Sequence, residues 1–377
     1  MTDLAGLLRK DINKINAYIP GKPIDLVKRQ LGINNIIKLA SNENAYGVSR
    51  KAKRAIIKSL GEIFRYPDGS CYYLKLALAK KLKIKPENLI FGNGSDELID
   101  IIIKTFLNPT EEILTAKTTF VEYEILALAN GFKAKTIPLR NFRYDLEKMR
   151  ESISRKTKVI FISNPNNPTG TYITKEEFNK FIESIPKNTL VVVDEAYNEF
   201  VTAKDFPMTM PLIGRKNIII LRTFSKAYGL AGLRIGYAIA RKEFIQAMER
   251  LRQPFNVNLL AQKAAEAILT DSSYLYKTKK NIISQREKMY SEFESLGIDY
   301  IPSQANFIMF RTKLDGEKLC QILLRKGIII RDLKPYNLNK YVRVTIGTAE
   351  ENKRFIKELK RILETNNSKK EISKIGG

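Results

Sequence analysis

At 377 residues the chain exceeds what one compact core usually holds, so two domains are expected. The absence of histidine excludes Ser-His-Asp and Cys-His nucleophilic machinery and every His-ligated metal site, and leaves proton transfer to Lys, Asp, Glu, Tyr or Cys. Two distant cysteines, Cys71 and Cys320, exclude CxxC redox or zinc spacing, and a net charge of +25 raises nucleic acid as a partner to be weighed.

The first residues, MTDLAGLLRKDINKINAY, carry Asp3 and Asp11 and do not read as a signal peptide. The longest apolar runs are strand-length, far short of a membrane span, so a cytoplasmic protein with no membrane partner is expected. The basic clusters KAKRAIIK (51–58) and KLALAKKLKIK (75–85) place apolar residues at helical spacing with lysines between them, the pattern of a solvated amphipathic face. No RNP aromatic pair, zinc knuckle or KH-type GxxG clamp accompanies them, which argues against nucleic-acid binding.

From about Leu89 to Ala240, strand-like and helical runs alternate, the sign of an α/β domain with a mostly parallel sheet. Strands are predicted at 88–91, 112–116, 135–139, 158–163, 190–194, 217–222 and 235–240, with helices SDELIDIIIKTF, FVEYEILALAN, LEKMRESI and KEEFNKFIESI between them. Beyond Asn256 one long helical stretch, 259–296, precedes the short strand candidates ANFIMFR, GIIIRD and YVRVTIG, which predicts a second, smaller α/β domain. The polar tail NNSKKEISKIGG reads as disordered.

Ligands of open α/β sheets sit beyond the carboxyl ends of the strands. After LIF comes GNGSDELI, where Ser95 and Asp96 open a helix whose free N–H groups suit a phosphate, although taken alone the stretch is better explained by an ordinary N-cap, and the third glycine of GxGxxG is missing. After KVIFIS comes NPNNPTG, a stiff turn that would hold Asn167 with its amide free to donate. After LVVV, Asp194 ends an apolar run where a carboxylate is costly without a cation. After NIIILRT comes FSKAYGLAGLR, in which Lys226 is either a solvated charge or a nucleophile able to capture a carbonyl. An aldehyde-capturing lysine, an acid for a ring nitrogen and a phosphate cradle of Ser95, Asp96, Ser225 and Arg234 together match the needs of pyridoxal 5'-phosphate.

The ordered set GNGSDE, NPNNPTG, DEAY and TFSKAYGLAGLR resembles the fold-type I pyridoxal-phosphate aminotransferases. With YIPGKP, KLASNEN, RYPDGSCYYLKLALAKKL, RQPFNVN and VRVTIGT, the chain from about Tyr18 to about Leu363 is similar to the histidinol-phosphate aminotransferase family. The resemblance implies an arm (1–40) packing with the small domain, a cofactor-binding domain (41–255), a small domain (256–365) and a tail (366–377). It implies Lys226 as the residue that holds the cofactor and shuttles the proton, Asp194 on the ring nitrogen, Tyr197 and Asn167 on the ring hydroxyl, and Phe120 on the ring face. Tyr66 would reach the cofactor phosphate of a neighbouring subunit, implying a homodimer. Arg343 and Arg331 would anchor the anionic end of substrate, with Tyr18, Asn42 and Asn306 nearby. The expected substrates are histidinol phosphate and glutamate or 2-oxoglutarate. Relatives with similar motifs transaminate aromatic amino acids or decarboxylate phosphothreonine, and a non-catalytic nucleic-acid-binding descendant is a remote alternative. Ala45 stands where relatives usually carry proline.

Overall fold

A computed structural model of the chain describes residues 7–9, 12–15, 17 and 19–375, so Tyr18 lies outside the described residues. Helix α1 (Ile24–Leu31) and the short strand β1 (Ile37–Lys38) come first. Helices α2 (Arg50–Ser59) and α3 (Tyr72–Leu82) lead to β2 (Leu89–Gly92), α4 (Ser95–Phe106), β3 (Glu112–Ala116), α5 (Glu122–Ala129) and β4 (Lys133–Ile137). Helix α6 (Leu146–Glu151), β5 (Thr157–Ser163), α7 (Lys175–Ser184), β6 (Leu190–Asp194), β7 (Ile218–Thr223), β8 (Gly236–Ile239) and α8 (Lys242–Glu249) come next. Then follow α9 (Leu259–Leu269), α10 (Ser272–Ser295), β9 (Tyr300–Ile301), β10 (Phe307–Arg311), α11 (Gly316–Arg325), β11 (Ile328–Ile329), β12 (Arg331–Asp332), β13 (Tyr341–Thr345) and α12 (Ala349–Ile375).

Strands β2 to β8 form one seven-stranded sheet in the order β2-β8-β7-β6-β5-β3-β4. All its pairings are parallel except those of β8, which runs antiparallel to both β2 and β7. The central strands are apolar on both faces because both faces are covered. Ile160, Ile162, Val191, Val193, Ile218 and Ile220 pack on one side with Phe178 and Tyr237. Val159, Phe161, Val192, Ile219 and Leu221 pack on the other with Leu98, Ile102 and Tyr123.

Four of the remaining strands build a smaller antiparallel sheet, β12-β13-β10-β9, whose core is Ile282, Phe293, Phe307, Phe310, Val342, Val344 and Phe355. Strand β1 pairs in parallel with β11 as a separate two-stranded sheet, which ties the residues before α2 to the segment that leads into β12. The stretch read as one helix over 259–296 is two. Asp271 interrupts it by accepting the Tyr274 N–H at 3.2 Å, so the chain turns and restarts on an N-cap. The last helix extends through Ile375, into the segment read as a polar tail. No helix among the described residues is long and apolar enough to cross a membrane.

Candidate active site

A cavity of about 300 Å³ opens at the carboxyl ends of β5, β6 and β7. Its wall includes Ser95, Asp96, Phe120, Asn167, Asp194, Tyr197, Ser225, Lys226, Arg234 and Asn42, with Arg331 and Arg343 from the smaller sheet. Residues scattered over 300 positions of sequence thus meet in one place. Two expected site residues lie elsewhere. Tyr66 is 82% exposed and outside the cavity. Asn306 is fully buried behind it and donates its amide to the Asn42 carbonyl at 3.1 Å.

Parallel pairing sets Asp194 beside Ser163 and Leu221, so it emerges at the end of a buried strand. Burial pushes its carboxyl up to about 6, against the opposing pull of a 2.7 Å hydrogen bond donated by Tyr123 Oη and a 3.0 Å bond from the Ala196 N–H. The chain turns directly after β7, and the Lys226 Nζ donates to the Ser41 carbonyl at 3.3 Å. Burial first, and then the Arg343 guanidinium, lower the amine to about 8. At neutral pH about a tenth of the amine is neutral, and the same cavity holds a carboxylate that is mostly ionised. Such a separation of titrations marks acid–base sites.

Tyr197 Oη accepts the Asn42 amide at 2.9 Å, which leaves its own proton to donate, and burial holds that phenol well above its ordinary range. Asn167 Oδ1 accepts from Arg343, which fixes the flip of this amide and leaves Nδ2 to donate into the cavity. Arg343 also donates to the Ala40 carbonyl at 2.8 Å and lies 5.1 Å above the Phe307 ring.

At the opposite end, Ser95 begins α4, Arg234 lies 3.4 Å from Ser225 Oγ, and its other arm meets Asp96 Oδ2 at 3.0 Å. Free N–H groups of a helix start, a hydroxyl and a guanidinium form an anion cradle. Asp96 serves an anion only through its backbone N–H, since its carboxylate repels one and orients Arg234 instead. Gly94, at φ +84°, is part of the fit, because a Cβ there would lie 2.4 Å from Arg234 Nη2. A primary amine, an ionisable buried acid, an aromatic wall and this cradle fit the aldehyde, ring nitrogen, ring face and phosphate of pyridoxal 5'-phosphate. No cluster of metal-ligating side chains occurs among the described residues.

The family profile described as aminotransferase class I and II matches residues 34–359. The histidinol-phosphate aminotransferase of Moorella thermoacetica is 47% identical over 357 residues, covering 94% of this chain and 92% of that one. The chain belongs to the histidinol-phosphate aminotransferases of the class I and II family. The Caldicellulosiruptor saccharolyticus enzyme of the same name is 46% identical and covered over its entire length. The histidinol-phosphate aminotransferase of Sinorhizobium meliloti, solved in complex with pyridoxal-5'-phosphate, superimposes with a TM-score of 0.85 at 28% identity over 92% of this chain and 96% of that one.

The sequence did not single out Tyr123, the partner of Asp194. It is fully buried, stacked on Phe161 at 4.9 Å, and lies in the apolar run FVEYEILALAN predicted as helical, where an aromatic reads as core. Glu122 and Tyr336, which also line the cavity, gave no signal. The Arg222–Glu195 pair was also missed. Its two guanidinium bonds of 2.9 and 2.7 Å join the strand that carries Asp194 to the strand that leads to Lys226.

Proposed function

We infer that the chain moves an amino group between L-histidinol phosphate and 2-oxoglutarate, giving imidazole-acetol phosphate and L-glutamate in L-histidine biosynthesis, with pyridoxal 5'-phosphate as cofactor. The observation that carries this reading is one cavity that brings the Lys226 amine together with Asp194, Ser95, Ser225 and Arg234, in a chain 47% identical to a histidinol-phosphate aminotransferase over 94% of its length. The cofactor supplies an aldehyde and an electron-withdrawing ring that together acidify the substrate Cα–H.

The chain's own residues do the rest. Asp194 would hold the ring nitrogen's proton, while Tyr197 Oη and Asn167 Nδ2 would donate to the ring hydroxyl oxygen. Phe120 would cover one ring face. Ser95, Ser225, Arg234 and the Asp96 N–H would take the phosphate. Lys226 Nζ takes the proton from substrate Cα and returns it on the far side of the transfer, the task for which an amine near neutrality is suited. Arg343, with Arg331 as its strand partner in the register, would grip the anionic end of either substrate, since one guanidinium fork suits both carboxylate and phosphate. Asn42 lines this end and Asn306 acts through it; Tyr18 would close over the substrate.

We assign the working form as a homodimer in the cytoplasm. The exposed Tyr66 would complete the phosphate cradle of the neighbouring subunit, and nucleic acid and membranes have no part in the reaction. The test is a panel of amino donors offered with 2-oxoglutarate to the purified protein. Histidinol phosphate is expected to be used at least about 100-fold more efficiently than phenylalanine or tyrosine. Comparable rates would make the enzyme a broad-specificity one, and carbon dioxide release from phosphothreonine would make it a decarboxylase. Lys226→Ala is expected to abolish the visible band of the bound cofactor, and a band that survives would overturn the role of that lysine.

A further inference from the structure

Tyr66 lies on a turn that is fixed from below. Asp68 accepts the Ser70 N–H at 2.8 Å, the Ser70 hydroxyl at 2.7 Å and the Tyr72 N–H at 2.8 Å. Gln262 donates to the Asp68 carbonyl at 3.0 Å. An 82% exposed aromatic on a rigid turn still has rotamers to choose from, and one neighbour restricts them. The Phe255 ring stacks on the Tyr66 ring with centroids 4.6 Å apart and planes 18° from parallel. The same ring lies against Gly69, where an added Cβ would sit 3.5 Å from it. Phe255 therefore touches both limbs of the turn.

Phe255 is itself held in an uncommon conformation. Its φ is +56°, in the left-handed region that a bulky side chain adopts only when its surroundings impose it. The surroundings are identifiable. Asn256 donates to Glu97 Oε2 at 2.7 Å and to the Phe91 carbonyl at 3.2 Å, and accepts from Arg252 at 2.8 Å. Glu97 Oε2 also accepts the Asn93 N–H at 2.6 Å, so the clamp stands on the loop that opens this chain's own anion cradle.

We propose that Phe255 is a positioning residue that acts in trans, presetting Tyr66 of its own chain for the cofactor phosphate of the other subunit. The proposal rests on the shared-site reading given under Proposed function. It differs from a simple stabilising role in one respect: the damage from losing Phe255 falls on the partner's site and spares the site of the same chain.

Mixed dimers test this, with Lys226→Ala marking one chain so that only one site can trap cofactor. Pyridoxal 5'-phosphate is titrated in, trapped on Lys226 by borohydride, and quantified by fluorescence. With Phe255→Ala on the chain that carries Lys226→Ala, the altered Tyr66 serves the intact site, and half-saturation is expected to rise on the order of 3- to 10-fold. With Phe255→Ala on the chain whose Lys226 is intact, half-saturation is expected to stay unchanged. Phe255→Tyr, which keeps the stacking face, is expected to behave as wild type in both arrangements. Phe255→Leu replaces the alanine variant if that variant does not fold.

Equal losses in both arrangements, or a loss confined to the second, would overturn the proposal. Tyr66→Phe in the first arrangement is the control. If it weakens trapping and Phe255→Ala does not, the positioning role is wrong and the shared site stands. If Tyr66→Phe has no effect across the dimer, the shared-site reading fails and takes the proposal with it.

Discussion

Replacing Tyr123 by phenylalanine removes one oxygen from a buried site and leaves the stacked ring in place, which makes its consequence calculable. The lost bond, 2.7 Å to Asp194 Oδ2, is donated to a group that must carry charge. Hydrogen bonds to charged groups contribute about 1.5–3 kcal/mol, equivalent to roughly 1–2 pKa units. Asp194, at about 6 with the bond in place, would then titrate at about 7–8. The sign follows from its being an acid raised by burial: it is ionised above its folded pKa and neutral below. Near pH 7 the ionised share falls from about nine-tenths to between a half and a tenth, so affinity for a ring-protonated cofactor falls roughly 2- to 10-fold. The assay is equilibrium binding of pyridoxal 5'-phosphate in a Lys226→Ala background, which removes the lysine's own titration, with Tyr123 compared with Phe at each pH. The two curves are expected to separate near pH 7 and converge by about pH 9, where Asp194 is ionised in both. Equal affinities near pH 7 would refute the argument that Tyr123 sets the charge of Asp194.

Three further substitutions probe other parts of the site. Arg222→Ala leaves Glu195, 2% exposed at its side chain, as an uncompensated buried charge, and is expected to cost about 3–5 kcal/mol of stability in urea unfolding. Gly170→Ala forces a Cβ to within 2.2 Å of Ser303 Oγ at φ +76°, and should destabilise by about 2–5 kcal/mol in the same measurement; a change under about 1 kcal/mol would show that the Ser303 loop yields freely. Arg343→Lys keeps the charge and loses the fork, so kcat/KM is expected to fall about 10- to 100-fold for both glutamate and histidinol phosphate. A loss confined to one substrate would show that the two anions use different anchors.

Much of this arrangement is legible in the chain. The helix SDELIDIIIKTF forms over the residues predicted, since Gly94 cannot extend it backwards and Asp96 and Glu97 favour its first turn. Strands β3, β5 and β6 follow their apolar runs to within a residue. Strand direction was not legible, because alternation and burial look alike in parallel and antiparallel strands. Yet the two glycines of AYGLAGLR and its shortness disfavour the helix that a parallel crossover between β7 and β8 would need, and could have been read as a reversal. The break at Asp271 was also present, as an N-cap signal in TDSS that the apolar spacing on either side concealed. Tyr123 was beyond reach, since its partner is 71 positions away and no periodicity reports a side-chain hydrogen bond.

The antiparallel course of β8 also bears on the order in which the site assembles. Because β7 and β8 are neighbours that run in opposite directions, both ends of the loop between them close on each other, with the Phe224 N–H bonded to the Ile235 carbonyl at 3.1 Å. Ser225, Lys226 and Arg234 thus acquire their mutual positions from contacts a dozen residues apart, which form early in folding. The contact of Arg343 with Asn167 spans 176 residues and waits for the smaller sheet to dock. A refolding chain is therefore expected to set Ser225, Lys226 and Arg234 against one another before the smaller sheet brings Arg343 to them. Pulsed hydrogen exchange during refolding would register this as protection of the Phe224 N–H, bonded to Ile235, ahead of the Thr345 N–H, bonded to Leu39.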